Sequence, residues 1–282
     1  MDAPDSIYTI IDSSYSAERA GNISFAIQQA QVALERARST GESEVLAESL
    51  ACLAYMYDRL GHHDKAQDLA TEALDQANPL SPGVVRAWKI LGDCAHERGD
   101  LASSEKYFHL AIDLARQLGL TYMLHRCLHS LSACVYIPRG QFELALAADS
   151  ESVELAENCG FLEEIWLPLL TLSSTLWLTG NQQRAMEMAL HMGEHSPPLS
   201  LAQGYYFSLR GDFAQDSYFP QSAMGWYEQA RHVAELLGEP GLNVEVRLSL
   251  SRFHRTYGSP AAAYEWAEDA LAIGQRANSS DL

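Results

Sequence analysis

Basic residues are scarce in this chain: 19 lysines and arginines face 37 aspartates and glutamates over 282 residues, a net charge of -18. Phosphate neutralisation needs a basic face, so a generic nucleic-acid surface is excluded; the acidity itself reads as solubility. Long apolar runs are missing too. No window approaches the roughly 20 apolar residues that span a bilayer, so no membrane partner is expected. The acidic start, Met1 to Asp5, has no apolar run behind a basic segment and reads as a chain without a secretory leader. Cysteine is sparse: Cys52, Cys94, Cys127, Cys134 and Cys159 are odd in number and form no CxxC, the pattern of reduced, packed thiols in a cytoplasmic protein. No P-loop, GxSxG, GxGxxG or HExxH occurs. Adjacent carboxylates such as Glu163-Glu164 and Glu268-Asp269 have nothing beside them to activate them. His125 and His129, four apart and near Cys127 and Cys134, fall short of the convergent ligand set of a zinc site, and His62-His63 read as solvated. No catalytic residue, metal or cofactor is therefore expected. Strand-like alternation is also lacking.

What is present is a repeat. Turn residues Gly21, Gly61, Gly99, Gly140, Gly180, Tyr218 and Gly258 lie 40, 38, 41, 40, 38 and 40 residues apart, and each is followed five positions later by alanine or serine. About fourteen residues before each turn carry apolar residues at helical spacing, such as Leu46, Leu50, Leu53 and Tyr57 (helix A). About eighteen after it carry small residues five and twelve past the turn and a small or aromatic residue at nine (helix B): Ala66, Ala70 and Ala73, or Ser104, Phe108 and Ala111. Small side chains let two helix axes approach. A pair this short cannot bury its apolar faces alone, so stacking must supply the core. The expected fold is all-α, a right-handed superhelical solenoid of about seven antiparallel helix pairs. It forms one domain over 1–282, with repeats near 6–41, 45–80, 82–120, 122–160, 162–196, 199–238 and 242–278.

The punctuation agrees. Gly41, Gly119, Gly160 and Gly238, with Asn278 in the last unit, suit the left-handed position that closes a helix. Ser81-Pro82, Ser196-Pro197 and Ser259-Pro260 read as N-caps followed by proline. Repeat four is irregular: Tyr136-Ile137-Pro138-Arg139-Gly140 contains one extra residue and a proline, so its helix A is expected to end early. Pro168 is expected to kink helix A of repeat five, Ser196-Pro197-Pro198 to cut its helix B short, and Tyr218-Phe219-Pro220 replaces the turn glycine of repeat six.

Trp88, Leu91, Gly92, Gly99, Phe108 and Ala111 fall where the tetratricopeptide repeat places Trp, Leu, Gly, Gly, Phe and Ala; Leu50, Leu53, Ala54, Tyr57, Gly61, Ala66 and Ala73 match a second unit. The chain resembles that superfamily over nearly its whole length. The period of about 40 rather than 34 is similar to the longer-helix bacterial signalling type, as in maltose-activator-like regulators and the sensor regions of GGDEF proteins. The resemblance implies that helices A line a concave groove. By phase, Tyr55, Arg59, Arg86, Lys89, Asp93, Arg126, His129, Tyr136 and Trp177 are the candidate binding residues on that face. Guanidinium groups offer bidentate bonds to carboxylate or phosphate, and tyrosine adds amphipathic contact area. The competing reading pairs these cations with Glu48, Asp58, Asp93 and Glu97 on neighbouring helices. Ala51 and Tyr55 stand where chaperone-tail binders carry lysine and asparagine, so that function is unsupported. The expected role is a non-catalytic interaction and sensing module. Its partner is a protein or peptide, with an acidic segment suited to the cations. The alternatives are the N-terminal sensory region of a diguanylate cyclase or of an ATPase-type transcription regulator, and a self-assembling adaptor. The ends bear on these choices: Tyr264, Ala267, Leu271 and Ile273 should be partly exposed and covered by downstream chain or another copy, and Ile7, Ile10, Ile11 and Tyr15 offer a terminal helix for a homodimer.

Overall fold

The computed structural model describes residues 6–19 and 22–279, the side chains of 277–279 excepted; the expected turn at Gly21 and the acidic start lie outside the described residues. Fourteen α-helices and one π-helical segment follow in order, and no strand occurs among the described residues. They are α1 (Ile7–Arg19), α2 (Ile23–Thr40), α3 (Ser43–Arg59), α4 (His63–Gln76), α5 (Pro82–Glu97), α6 (Leu101–Leu118) and α7 (Thr121–Leu131). The π segment (Ser132–Tyr136) then leads to α8 (Phe142–Cys159), α9 (Trp166–Leu178), α10 (Gln182–Glu194), α11 (Leu201–Asp216), α12 (Pro220–Leu237), α13 (Pro240–Tyr257) and α14 (Pro260–Ser279). Odd-numbered helices are the A helices and even-numbered ones the B helices of seven pairs. The chain divides into two compact units, Met1–Leu155 and Ala156–Leu282. In the first unit, each A helix through α5 packs on its own B helix, and α1, α3, α5 and α7 pack side by side. In the second, α9, α11 and α13 do the same with α10, α12 and α14.

The turns are built alike. Gly61, Gly99, Gly140 and Gly180 are left-handed, with the residue after each donating its N–H five residues back, as in His62 N to Tyr57 O and Asp100 N to Ala95 O, both 2.9 Å. This bond satisfies a carbonyl that the helix end leaves open. Tyr218 takes the same left-handed position, φ 63°, with Phe219 N donating to Ala214 O at 2.9 Å. The last turn differs: Gly258 has φ -115°. Gly41, Gly119, Gly160 and Gly238 are left-handed as read from the sequence, whereas α14 runs on through Asn278.

Four of the pairs show volume matching between the residue seven before the turn on helix A, or eight in the fourth pair with its extra residue, and the one nine after it on helix B. In the second pair these are Ala54 and Ala70, both fully buried. In the third and sixth the B residue is aromatic, Phe108 or Tyr227, and the A residue is Gly92 or Gly211; a Cβ at either glycine would lie inside van der Waals contact with the ring. In the fourth, Ser132 Oγ donates to buried Asp149 at 2.6 Å. One large residue is thus met by none, two small ones by each other, and a polar one by a polar one, which keeps the interior at solid-like density.

Four local expectations are corrected. Helix A of repeat four does not end early: the extra residue is taken up inside it, where Ile137 N donates to Ser132 O at 3.0 Å across a π turn. Pro168 lies in the first turn of α9, where its missing N–H would have had no intrahelical acceptor, so it begins the helix rather than kinking it. Ser196 is no N-cap; its hydroxyl donates to Met192 O at the end of α10 (2.7 Å), and Ser200 caps α11. Ile10 and Ile11, read as part of a terminal docking face, are buried in the core of the first unit with Ala26, Leu50 and Leu53.

Candidate ligand-binding site

In the first unit the A helices present one continuous wall. Tyr55, Asp58 and Arg59 from α3, His63 from the start of α4, Lys89, Asp93, His96 and Glu97 from α5, Arg126 from α7 and Cys134 from the π segment surround a cavity of about 250 Å³. The Gly61 turn, with Gly61 N donating to Asp58 O at 2.9 Å, folds His63 back so that its Nδ1 lies 3.2 Å from Asp58 Oδ1. His63 is therefore a wall residue with a partner, where the sequence suggested a solvated side chain.

The charges are largely neutralised in place. Lys89 Nζ donates to Asp93 Oδ2 at 2.7 Å, and both side chains are mostly shielded from solvent. Arg59 Nε donates to Glu18 Oε1 at 2.9 Å, and the Tyr55 hydroxyl donates to the same oxygen at 3.3 Å. The Arg126 guanidinium lies 5.9 Å over the Tyr55 ring, and its Nη1 donates to the Tyr122 hydroxyl at 3.4 Å. Burial, with the Asp93 charge nearby, holds the Asp58 carboxyl up at about 6. Burial likewise pushes the Cys94 and Cys134 thiols up to about 12.

Five of the nine sequence candidates, Tyr55, Arg59, Lys89, Asp93 and Arg126, meet around this cavity. The other four lie elsewhere. Arg86 sits 3.4 Å from Glu48, too poorly aligned for a hydrogen bond, and 5.1 Å over the Tyr15 ring. His129 Nδ1 lies 3.3 Å from Asp149 Oδ1. Tyr136 packs in the hydrophobic core with Phe108 and Val135. Trp177 belongs to the second unit, where it stacks on Phe213 at 4.1 Å and donates to Asp216 at 3.0 Å. Sequence reasoning also passed over Cys134. Its signal was the extra residue of repeat four: counted after helix A, it leaves Ala133 at the groove position three before Tyr136, whereas counted inside helix A it puts Cys134 there.

His125 is fully buried, with Nδ1 2.9 Å from the Ser152 hydroxyl. Ser, His and Asp do meet at Ser132, His129 and Asp149. There the serine and the histidine each bond a different oxygen of one carboxylate, which leaves the imidazole no part in activating the hydroxyl.

No family model matches the chain, and no curated protein matches it. Solved structures do. A Rap protein complexed with Competence and Sporulation Factor superposes with TM-score 0.74 at 15% identity, covering 96% of this chain and 75% of that one. The Rap conjugation gene regulator of the plasmid pLS20, in complex with the Phr peptide, gives 0.73 at 16% identity, covering 96% and 74%. Aspartyl phosphate phosphatase F from Bacillus subtilis gives 0.70 at 12% identity, covering 95% and 70%. These establish the fold as a tetratricopeptide-like array of helix pairs. Among the described residues, no helix is long and apolar enough to cross a membrane.

Proposed function

We propose that the chain is a non-catalytic regulatory module, of the long-helix bacterial signalling type and working in the cytoplasm, that binds a peptide or a protein segment in the cavity of its first unit. The observation that carries this is the convergence of Tyr55, Arg59, Lys89 and Arg126 from three successive A helices on one cavity of about 250 Å³. That volume suits one side chain or a chain terminus rather than a whole peptide, so the cavity is an anchor pocket. A carboxylate is the fitting anchor, since guanidinium groups pair with it bidentately and the rings beside them supply apolar contact. Two of the neighbours sharing the fold are described with a bound factor or peptide, which supports a peptide as the occupant. The competing ion pairs set the affinity: an anion must be worth more to Arg59 than Glu18 is, or add to what both already have.

Selection of binders from a display library of random peptides with free C-termini tests the reading. Peptides selected on the chain should lose at least about tenfold in affinity with Arg126→Glu, which is about 1.4 kcal/mol. They should keep it with Arg38→Glu, a change at an exposed residue that pairs with Glu72 and does not line the cavity. Selected peptides that bind Arg126→Glu as well as the parent would overturn it.

A further inference from the structure

One cluster at this cavity has chemistry that an anchor for an anion does not need. Asp58, His63 and Cys94 each offer one ligand atom, a carboxylate oxygen, an imidazole nitrogen and the thiol sulfur, and these atoms all lie within 4.8 Å of one another. The carboxylate oxygen is 3.2 Å from the imidazole nitrogen and 3.8 Å from the sulfur. Bonds of about 2.0–2.3 Å from a tetrahedral metal to oxygen, nitrogen and sulfur put such ligand atoms roughly 3.3–3.7 Å apart, and the two distances from the carboxylate oxygen lie close to that range. The three come from different elements: Asp58 from the last turn of α3, His63 from the first residue of α4, Cys94 from the last turn of α5. Rigid helix ends fix them, and the left-handed Gly61 turn sets the five-residue return from Asp58 to His63.

We propose that Asp58, His63 and Cys94 form a three-ligand site for a divalent transition metal, Zn²⁺ by its mixed oxygen, nitrogen and sulfur donors, with the remaining position open to the cavity. The donor set is unsuited to Mg²⁺ or Ca²⁺, which take oxygen, and a thiolate with an imidazole favours zinc-like ions. In the metal-free arrangement the Cys94 thiol donates to Asp58 Oδ1 and, at 3.5 Å, to His63 O. Binding replaces that thiol proton by the metal: the S–H bond breaks, a metal–sulfur bond forms, and the proton goes to solvent. His63 then coordinates through Nδ1 and carries its proton on Nε2. The metal would tie repeat two to repeat three at the cavity. The site stands on its own residues, whether or not a peptide binds.

Cobalt titration of the reduced, chelator-treated chain tests it. One equivalent of Co²⁺ should give tetrahedral-intensity visible bands and a near-ultraviolet thiolate-to-cobalt band, both bleached by one equivalent of Zn²⁺. Cys94→Ser should lose the thiolate band, and Cys159→Ser, a change at an exposed cysteine outside the cluster, should keep it. Because Cys94 is buried, His63→Gln serves as the second variant: its Co²⁺ affinity should fall at least about tenfold. No visible spectrum, a thiolate band that survives in Cys94→Ser, or unchanged affinity in His63→Gln would each overturn the site.

Discussion

The volume matching inside these helix pairs makes a quantitative prediction at Gly92. An alanine there would place its Cβ 2.7 Å from Phe108 Cε1 and 2.8 Å from Cδ1, and the ring is fully buried, so it has nowhere to retreat. Overpacking of this kind costs about 1–3 kcal/mol. Against it stands the gain of about 0.8–1.0 kcal/mol from replacing a mid-helix glycine by alanine. Gly92→Ala should therefore be neutral to destabilising by about 2 kcal/mol. Gly225, also inside a helix but exposed and with nothing within 4 Å of a Cβ, gains the propensity without the clash and should be stabilised by about 0.5–1 kcal/mol. The decisive arm is Phe108→Ala. It costs about 3–5 kcal/mol by itself. On that background repeat three has the alanine pair that repeat two has at Ala54 and Ala70, and Gly92→Ala should now stabilise. Urea unfolding followed by circular dichroism on the four members of the cycle reads the effect as a coupling energy of about 1–3 kcal/mol. A Gly92→Ala change with the same sign and size on both backgrounds would show that the glycine and the ring do not share space, and the pairing rule would fail with it.

Other consequences are more local. Lys89→Met leaves Asp93 in a shielded place without its cation and should cost about 3 kcal/mol, most of it recovered by adding Asp93→Leu; strictly additive single effects in denaturation would refute the pair. Burial raises the Glu48 pKa above 4.5, with Arg86 pulling the other way, so the native state keeps this proton to higher pH than the unfolded chain does and stability is lost as pH rises from 4.5 through the native value. Glu48→Gln should flatten that slope in the urea midpoint, and an unaltered slope would mean the carboxyl does not carry it. Tyr218 is left-handed and 82% exposed, so Tyr218→Gly should relieve strain at little packing loss and stabilise by up to about 1 kcal/mol; a lowered melting temperature would contradict this.

The array was legible in the sequence because two independent signals coincide: a left-handed turn residue and a small residue five later. Ala26, Ala66, Ser104, Ala145, Ala185 and Ala223 are all fully buried, and the helix boundaries follow the turns. Five cavity residues could be named for the same reason, since phase along a straight helix fixes its inward face. Phase says nothing about what a long side chain does after its Cβ. Arg86 has the reach to meet a ligand and lies against Glu48 away from the cavity instead, and Arg59 reaches the cavity already paired with Glu18; only side-chain geometry could separate those outcomes. His63 was misread for a related reason: following a turn glycine suggests exposure, but the left-handed turn points the next residues back at the preceding helix.

Tyr136 shows the deeper limit, because there the phase itself changes. An extra residue in an α-helix rotates everything after it by about 100°. The π turn at Ser132–Tyr136 absorbs it locally, and Gln141 N still donates to Tyr136 O at 2.9 Å, the bond that closes the Gly61 and Gly99 turns. Residues before the segment and after the turn keep the repeat's register; only those inside it exchange faces. Tyr136, counted onto the groove, goes to the core, and Cys134 takes the place on the cavity wall that Ala133 would have held. A one-residue insertion that preserves the stack while replacing one wall residue is a way to vary a binding surface without disturbing the scaffold, which accords with the recurrence of π-bulges at functional sites.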